Sequence, residues 1–451
     1  MTSAPPMRVA IVSHAHPSVS KGGAEIAAYT LFRGLQDLGV PSLFIAAVPQ
    51  AALDRVSLAS ADEHVLPYDP AQFDHVLLLG RPAMSTALVR LLRDQNASVI
   101  NFHHYLNFGI GAVRQVKAQT GLPVVFTLHE YLAICAHHGQ MITRPARNLC
   151  EAASPEACAA CFPEHGREGM TTRRDLMFDV LSRCDGFVSP SRFLIDRYVA
   201  WGLPAEKFSL IENGLIDTAP PPERAPRSAD DPITFAYFGQ INPFKGVDVL
   251  LNAVDSLAAR PDLAGRFRVR IHGNVIGVTP AFEQRLARAI ETYDFLEVPG
   301  PYDNRQVRRL MSAADYVMVP STWWENSPVV IQEAYAARRP VICSGIGGMA
   351  EKVVDGVTGH HFRVGDAKDL ARVMEGAIKE AGRPERQAAL ARPSSHAEMA
   401  KEYLSCLNGA STPEPSPTPS KKAPIHRQDE VSQAMNQKFK SSRRRVGNVV
   451  R

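Results

Sequence analysis

The 451-residue chain reads as an α/β protein made of two doubly wound, parallel-sheet domains that face each other across a cleft. Three observations predict this. Short β-branched runs alternate with helix-periodic stretches, the pattern of parallel strands covered by helices. The alternation occurs twice, with a Pro-rich, charged break over residues 220–231 that has the composition of a linker. A chain of this length, 45% hydrophobic and 21% charged, can also bury two cores.

In the first series, strands are expected at 8–13, 41–48, 75–80, 98–105, 123–130 and 186–191. The second series places strands at 233–239, 267–274, 295–301, 316–322, 340–345 and 360–364. The domains are therefore drawn at 1–215, with a cysteine-rich insertion at 131–170, and at 216–394. After the last strand, 366–380 has the pattern of an amphipathic helix. Ser395 and Glu398 have the spacing of a capping box that opens a final helix over 395–408.

Net charge is +4, yet nine Lys/Arg against three Asp/Glu in 409–451 leave the preceding residues at −2. That segment is Pro/Ser/Thr-rich and ends in Ser441-Ser442-Arg443-Arg444-Arg445, so it reads as a disordered basic tail. Such a tail can touch anionic lipid, and nothing in it specifies nucleic acid. No apolar run approaches the ~18 residues of a membrane span. A strand beginning at Arg8 leaves no room for a signal peptide. The expected location is the cytoplasm; such tails are more often merely solvated, and peripheral contact at the inner face of the membrane is the other reading.

Open α/β sheets bind ligands beyond the carboxyl ends of their strands. The most informative segment there is 323–334, Trp-Trp-Glu-Asn-Ser-Pro-Val-Val-Ile-Gln-Glu-Ala, which follows the strand at 316–322. Ser327 suits an N-cap and Pro328 the first helical position, so the amides of Val329 and Val330, with the helix dipole, favour a phosphate. Glu333 lies about 7 Å further along the helix axis, and Glu325 precedes the helix. Two carboxylates flanking an anion site suit paired hydroxyls. Taken alone, the pair reads more readily as a helix-entry charge at Glu325 and an ordinary exposed helical residue at Glu333. In 238–246, Gly239 permits close backbone approach and Lys245 supplies a point charge for a diphosphate. Gly347 and Gly348 make a glycine-rich turn into a helix after another strand.

Together these residues resemble family four of the retaining glycosyltransferases. The resemblance is carried by the Glu325-x7-Glu333 spacing, the Lys245-Gly246 loop, the Gly347-Gly348 turn and the run at 314–321. In the first half it is carried by Gly22-Gly23-Ala24-Glu25, by Phe126-Thr127-Leu128-His129-Glu130 and by Ile211-Glu212-Asn213-Gly214. It spans about residues 7–408. The resemblance implies a GT-B fold of two Rossmann-like domains. The donor would be a nucleoside-diphosphate sugar held mainly by the second domain, and the acceptor a saccharide or lipid-linked saccharide of cell-surface glycan synthesis.

It further implies that Glu325 contacts the donor sugar, Glu333 the ribose hydroxyls and Lys245 the diphosphate. Gly22 and Gly23 form the loop that approaches the sugar phosphate from the first domain, and His129 sits beside the reacting sugar. Gly239, Gln240, Asn326, Ser327, Val329 and Val330 complete the donor-binding set, although the family commonly carries Arg where this chain has Gln240. Enzymes of this kind retain anomeric configuration by front-face attack, with no side-chain nucleophile and no cofactor required for transfer. Two other readings are a nucleotide-sugar-binding scaffold without turnover and a GT-B enzyme of another kind, such as an epimerase.

Four of the seven cysteines, Cys135, Cys150, Cys158 and Cys161, fall within 27 residues and end in Cys-x2-Cys. In a reducing cytoplasm tetrahedral zinc is the natural tenant of four thiolates, here a structural ion pinning the insertion; four reduced thiols in a loop is the other reading.

Overall fold

Thirteen strands form two sheets among the described residues, which are 6–20, 22–72, 76–216, 228, 231–380, 390 and 392–411 of this computed structural model. The first sheet comprises β1 (Val9–Ser13), β2 (Ser42–Pro49), β3 (Glu63–Tyr68), β4 (Val99–Phe102), β5 (Val124–Thr127), β6 (Gly186–Ser189) and β7 (Phe208–Leu210), in the order β3-β2-β1-β4-β5-β6-β7. The second comprises β8 (Ile233–Phe238), β9 (Phe267–His272), β10 (Leu296–Gly300), β11 (Tyr316–Val319), β12 (Val341–Ser344) and β13 (Gly359–Phe362), in the order β10-β9-β8-β11-β12-β13. All pairings between these strands are parallel.

Helices α1 (Gly23–Asp37), α2 (Pro82–Asp94), α3 (Ile110–Thr120), α4 (Pro155–Cys161), α5 (Gly166–Ser182) and α6 (Arg192–Trp201) accompany the first sheet. Helices α7 (Val247–Ala258), α8 (Pro280–Thr292), α9 (Val307–Ser312), α10 (Val329–Ala336), α11 (Gly347–Lys352) and α12 (Ala367–Lys379) accompany the second, and α13 (His396–Ser411) follows. Central strands such as Val-Ala-Ile-Val-Ser of β1 are buried throughout because helices cover both faces, which is why they read as unbroken apolar runs. Strand order reverses between β1 and β4 and between β8 and β11, so the loops leaving those strands open at the crevice of each sheet.

The expected strand over 75–80 does not form in its described part, 76–80. Leu78 has φ +53°, incompatible with a strand, and the carbonyls of Leu78 and Leu79 accept from Ile110 and Gly111 at the start of α3. Strand β3 takes the sheet position instead. The linker expected over 220–231, apart from Ser228 and Asp231, and the tail from 412 onward lie outside the described residues.

The capping box forms as the spacing predicts. Glu398 N donates to Ser395 Oγ at 3.2 Å, and Ser395 N donates to Glu398 Oε2 at 2.8 Å. The helix it opens runs to Ser411, three residues into the expected tail. It packs on the first domain: Met399, Ala400, Tyr403 and Leu407 share a core with Leu31, Phe32 and Leu35 of α1. Gly34 makes this approach possible, since a Cβ there would overlap the His396 carbonyl.

Candidate functional site

The loop between β11 and α10 carries Glu325, Asn326 and Ser327 of the predicted donor residues, α10 itself carries Val329, Val330 and Glu333, and the loop's geometry is fixed from three sides. Glu325 is 8% exposed, and its Oε1 accepts from Lys245 Nζ at 2.6 Å, Trp323 Nε1 at 2.7 Å and Ser321 Oγ at 2.8 Å. Burial pushes this carboxyl up, but the Lys245 charge and those three hydrogen bonds outweigh it and hold it below the ordinary value. Lys245 also lies 5.5 Å from the centre of the Trp323 ring. Its loop is tied to the Glu325 loop by Thr322 N donating to the Phe244 carbonyl at 2.8 Å. At Gly246, with φ +71°, a Cβ would overlap the Pro320 carbonyl. The sequence signals from 238–246 and 323–334 therefore meet at a Lys245–Glu325 ion pair.

The start of α10 differs from the sequence expectation. Pro328, not Ser327, is the N-cap, with no side-chain capping bond, and Ser327 Oγ donates instead to Glu212 Oε1 at 2.7 Å. Hydrogen bonding across the crevice has replaced local capping. Val329 and Val330 remain first-turn residues, whose amides lack intrahelical acceptors. Glu333, further along α10, accepts from Asn304 Nδ2 at 3.4 Å; burial raises its carboxyl to about 7, against that bond. Its charge reaches Tyr302, which packs edge-on to Phe238, itself stacked on His272 at 4.7 Å. Gly239 has φ +146°, and the Gln240 carbonyl accepts from Tyr237 OH at 2.6 Å. The Gly347-Gly348 turn is explained by contact: Gly348 N donates to the Glu325 carbonyl at 2.9 Å, and a Cβ on Gly348 would overlap the Asn326 carbonyl.

Asn326 joins the two domains. Its Nδ2 donates to the His129 carbonyl at 3.2 Å and the Leu128 carbonyl at 3.4 Å, and its Oδ1 accepts from Ser191 Oγ. Trp324 Nε1 donates to the Cys150 carbonyl at 3.1 Å. Glu351 accepts from the amides of Arg192 and Phe193, both at 2.9 Å, which caps α6 from the opposite domain. Lys352 pairs with Glu212. The loop that holds Glu325 thus lies against the strand end that holds His129. Glu212, Glu351 and Lys352 drew no role from sequence, although Glu212 lies in the Ile211-Glu212-Asn213-Gly214 motif and Glu351 ends the glycine-rich segment 344–351.

On the first-domain side, Gly22 precedes α1 and a Cβ there would overlap the Glu25 carboxylate, whereas Gly23 faces open space. Glu25 is buried, accepts from Ser20 Oγ at 2.5 Å and lies 3.4 Å from His14 Nε2. Burial raises its carboxyl, yet His14 and Ser20 more than offset this and hold it well below the usual range. His129 Nε2 lies 2.9 Å from His103 Nδ1; burial and the nearby His14 lower its pKa to about 4. His104 Nε2 lies 3.4 Å from Glu130 Oε1, and its ring centre is 4.4 Å from that of His14. His14 was not foreseen. Its place directly after β1, at the reversal of strand order, is the signal that could have found it.

The four clustered cysteines are free. Cys158 senses the other three, and burial with their charges raises its thiol to about 11. Cys161 Sγ accepts from Arg144 N at 3.4 Å. Among the described residues, no three His, Cys, Asp or Glu side chains are placed to hold a metal ion.

Residues 222–393 match the family model described as glycosyl transferases group 1, and residues 21–219 match glycosyltransferase family 4. The chain is a family 4 glycosyltransferase. One relative of this glycosyltransferase, the D-inositol 3-phosphate glycosyltransferase of Stackebrandtia nassauensis, is 32% identical over 36% of the chain and 37% of its own length. The chain thus spans little more than a third of that relative. Its counterpart in Kribbella flavida is 26% identical over 79% of the chain and 83% of the relative. The fold matches that of Anabaena HepE in complex with UDP and glucose, with a TM-score of 0.61 and 16% identity, covering 89% of this chain and all of the other. The glycosyltransferase therefore has the GT-B fold. None of its helices, among the described residues, is long and apolar enough to cross a membrane.

Proposed function

We propose that this glycosyltransferase moves a sugar from a nucleoside diphosphate to a saccharide or lipid-linked acceptor, with retention of anomeric configuration, in the assembly of a cell-surface glycan. The carrying observation is the Lys245–Glu325 pair in front of α10, with Glu333 further along the same helix. A neighbour of like fold that binds UDP and glucose supports a nucleotide-sugar donor.

Negative charge builds on the departing diphosphate as the glycosidic bond breaks, and stabilising it is the main task. Lys245 and the first-turn amides of Val329 and Val330 supply the positive potential. Glu325, held ionised, accepts from donor-sugar hydroxyls while fixing Lys245, and Glu333 accepts from the ribose hydroxyls. Gly22 leaves the backbone free to approach the phosphates from the first domain, and His129 borders the sugar. In front-face attack the leaving phosphate takes the acceptor's proton, so no side chain needs to act as base.

A thermal-shift series with UDP, GDP, ADP and their sugars tests this. One nucleotide is expected to raise the melting temperature progressively with concentration. No shift from any of them at millimolar concentration would sink the reading. A zinc ion on Cys135, Cys150, Cys158 and Cys161 is a separate proposal, supported by their clustering and by the backbone amide on Cys161. It requires the sulfurs to draw together around the ion. Metal analysis decides it: one equivalent supports it, and under about a tenth of an equivalent in unchelated protein removes it.

A further inference from the structure

We propose that His103 is a positioning residue that fixes which ring nitrogen of His129 carries the proton, and so which hydrogen-bond donor His129 offers to the sugar. This rests on the reading that His129 borders the donor sugar.

The two histidines leave adjacent strands, β4 and β5, which brings their rings to 5.1 Å between centres at an interplanar angle of 27°. His103 Nδ1 and His129 Nε2 are 2.9 Å apart, so one of them must donate and the other accept. Burial lowers both pKa values, so two neutral rings share a single proton in that bond.

The direction of the bond follows from the other end of His103. Its Nε2 is buried and has no hydrogen-bond partner among the described residues. A proton there would be an orphaned buried N–H, whereas an unprotonated Nε2 leaves only an unused lone pair, the less costly of the two. His103 therefore carries its proton on Nδ1 and donates it to His129 Nε2. His129 must then be protonated on Nδ1, the nitrogen His103 does not engage. A neutral ring with that N–H fixed donates to a hydroxyl oxygen and does not remove its proton.

The holder is itself held. The Tyr403 ring stacks on His103 at 6.1 Å and 14°. Tyr403 OH lies 3.2 Å from Thr127 Oγ1, which accepts from Asn101 Nδ2 at 3.0 Å. Helix α13 thus closes behind His103 and leaves its ring little room to turn.

Two variants and one spectrum test the assignment. His103→Asn places an amide near the Nδ1 position and should keep kcat within about threefold of wild type, whereas His103→Phe keeps the ring shape without a donor. The Phe variant should lower kcat about tenfold or more, with donor KM within about threefold. In wild-type protein labelled with ¹⁵N-histidine, with His129 assigned through His129→Gln, His129 should be the Nδ1–H tautomer and should lose that preference in His103→Phe. An Nε2–H tautomer of His129 in wild type overturns the proposal, as does wild-type kcat in His103→Phe. Equal losses in both variants with a shared fall in melting temperature also overturn it, because the role would then be structural. If His129 is locked as described but its signals ignore every nucleotide sugar, the placement of His129 beside the donor fails while the hold of His103 stands.

Discussion

Lys245 Nζ and Glu325 Oε1 meet at 2.6 Å, so the cation proposed to face the leaving diphosphate is anchored to a carboxylate that Ser321 and Trp323 also hold. The two partners are unequally buried, with side chains 29% and 10% exposed. Lys245→Ala strands a buried carboxylate and should destabilise the protein by about 2 kcal/mol or more. Glu325→Gln leaves a lysine that can turn to water, so it should cost clearly less. Both should lower kcat by about a hundredfold. Thermal melts and steady-state kinetics on the two variants check this, and equal destabilisation would contradict the unequal burial.

Glu333 titrates near neutrality. Its carboxyl is raised from the ordinary 4.5 to about 7 by burial, so between those values the folded state holds a proton that the unfolded state has released. Stability from this group is therefore present below about 4.5, falls as pH rises toward 7 and is flat above it. Donor affinity should move the opposite way, strengthening from pH 6 to 8 as the hydroxyl-accepting form appears. Calorimetric titration with the preferred nucleotide across that range, on wild type and Glu333→Gln, measures it; a pH-independent wild type would refute the assignment.

A single methyl group tests the Gly348 contact. Gly348→Ala must displace the Asn326 carbonyl, a backbone atom that cannot rotate away. The expected cost is about 1–3 kcal/mol, with kcat down about tenfold because Glu325 moves with that loop. Gly23→Ala, with nothing near its Cβ, is the control and should leave the melting temperature almost unchanged.

Asn326 bridges the domains through Leu128, His129 and Ser191. Asn326→Ala removes all three bonds in a buried place, so it should cost about 1–3 kcal/mol. Small-angle scattering should show a larger radius of gyration than wild type. An unchanged profile together with an unchanged melting temperature would mean that the bridge holds nothing.

Central strands such as β1, β8, β11 and β12 were legible in the sequence because fully buried parallel strands leave short apolar runs; β9, β10 and β13 also lie where expected, although they carry Arg, Glu and His and are only partly buried. Strands β3 and β7 were not legible. Residues 63–68 carry Glu, His and Pro, and β7 has three residues, so neither shows a periodic signal. The run at 75–80 misled for the converse reason: its leucines support the start of α3 instead of a ladder. In the site, Glu325, Glu333, Lys245 and the paired glycines were visible as spacing along the chain. The partnership of Lys245 with Glu325, the redirection of Ser327 to Glu212 and the contact of His103 with His129 were not, since each joins segments whose proximity only the folded topology creates.

Helix α13 has a consequence for how the protein can be shortened. A truncation that seems to trim only a C-terminal appendage, if it falls before Tyr403, removes the stacking partner of His103 and uncovers the greasy flank of Leu31, Phe32 and Leu35. This helix is thereby a wall of the first domain's interior, and a fragment meant to isolate that domain has to bring it along.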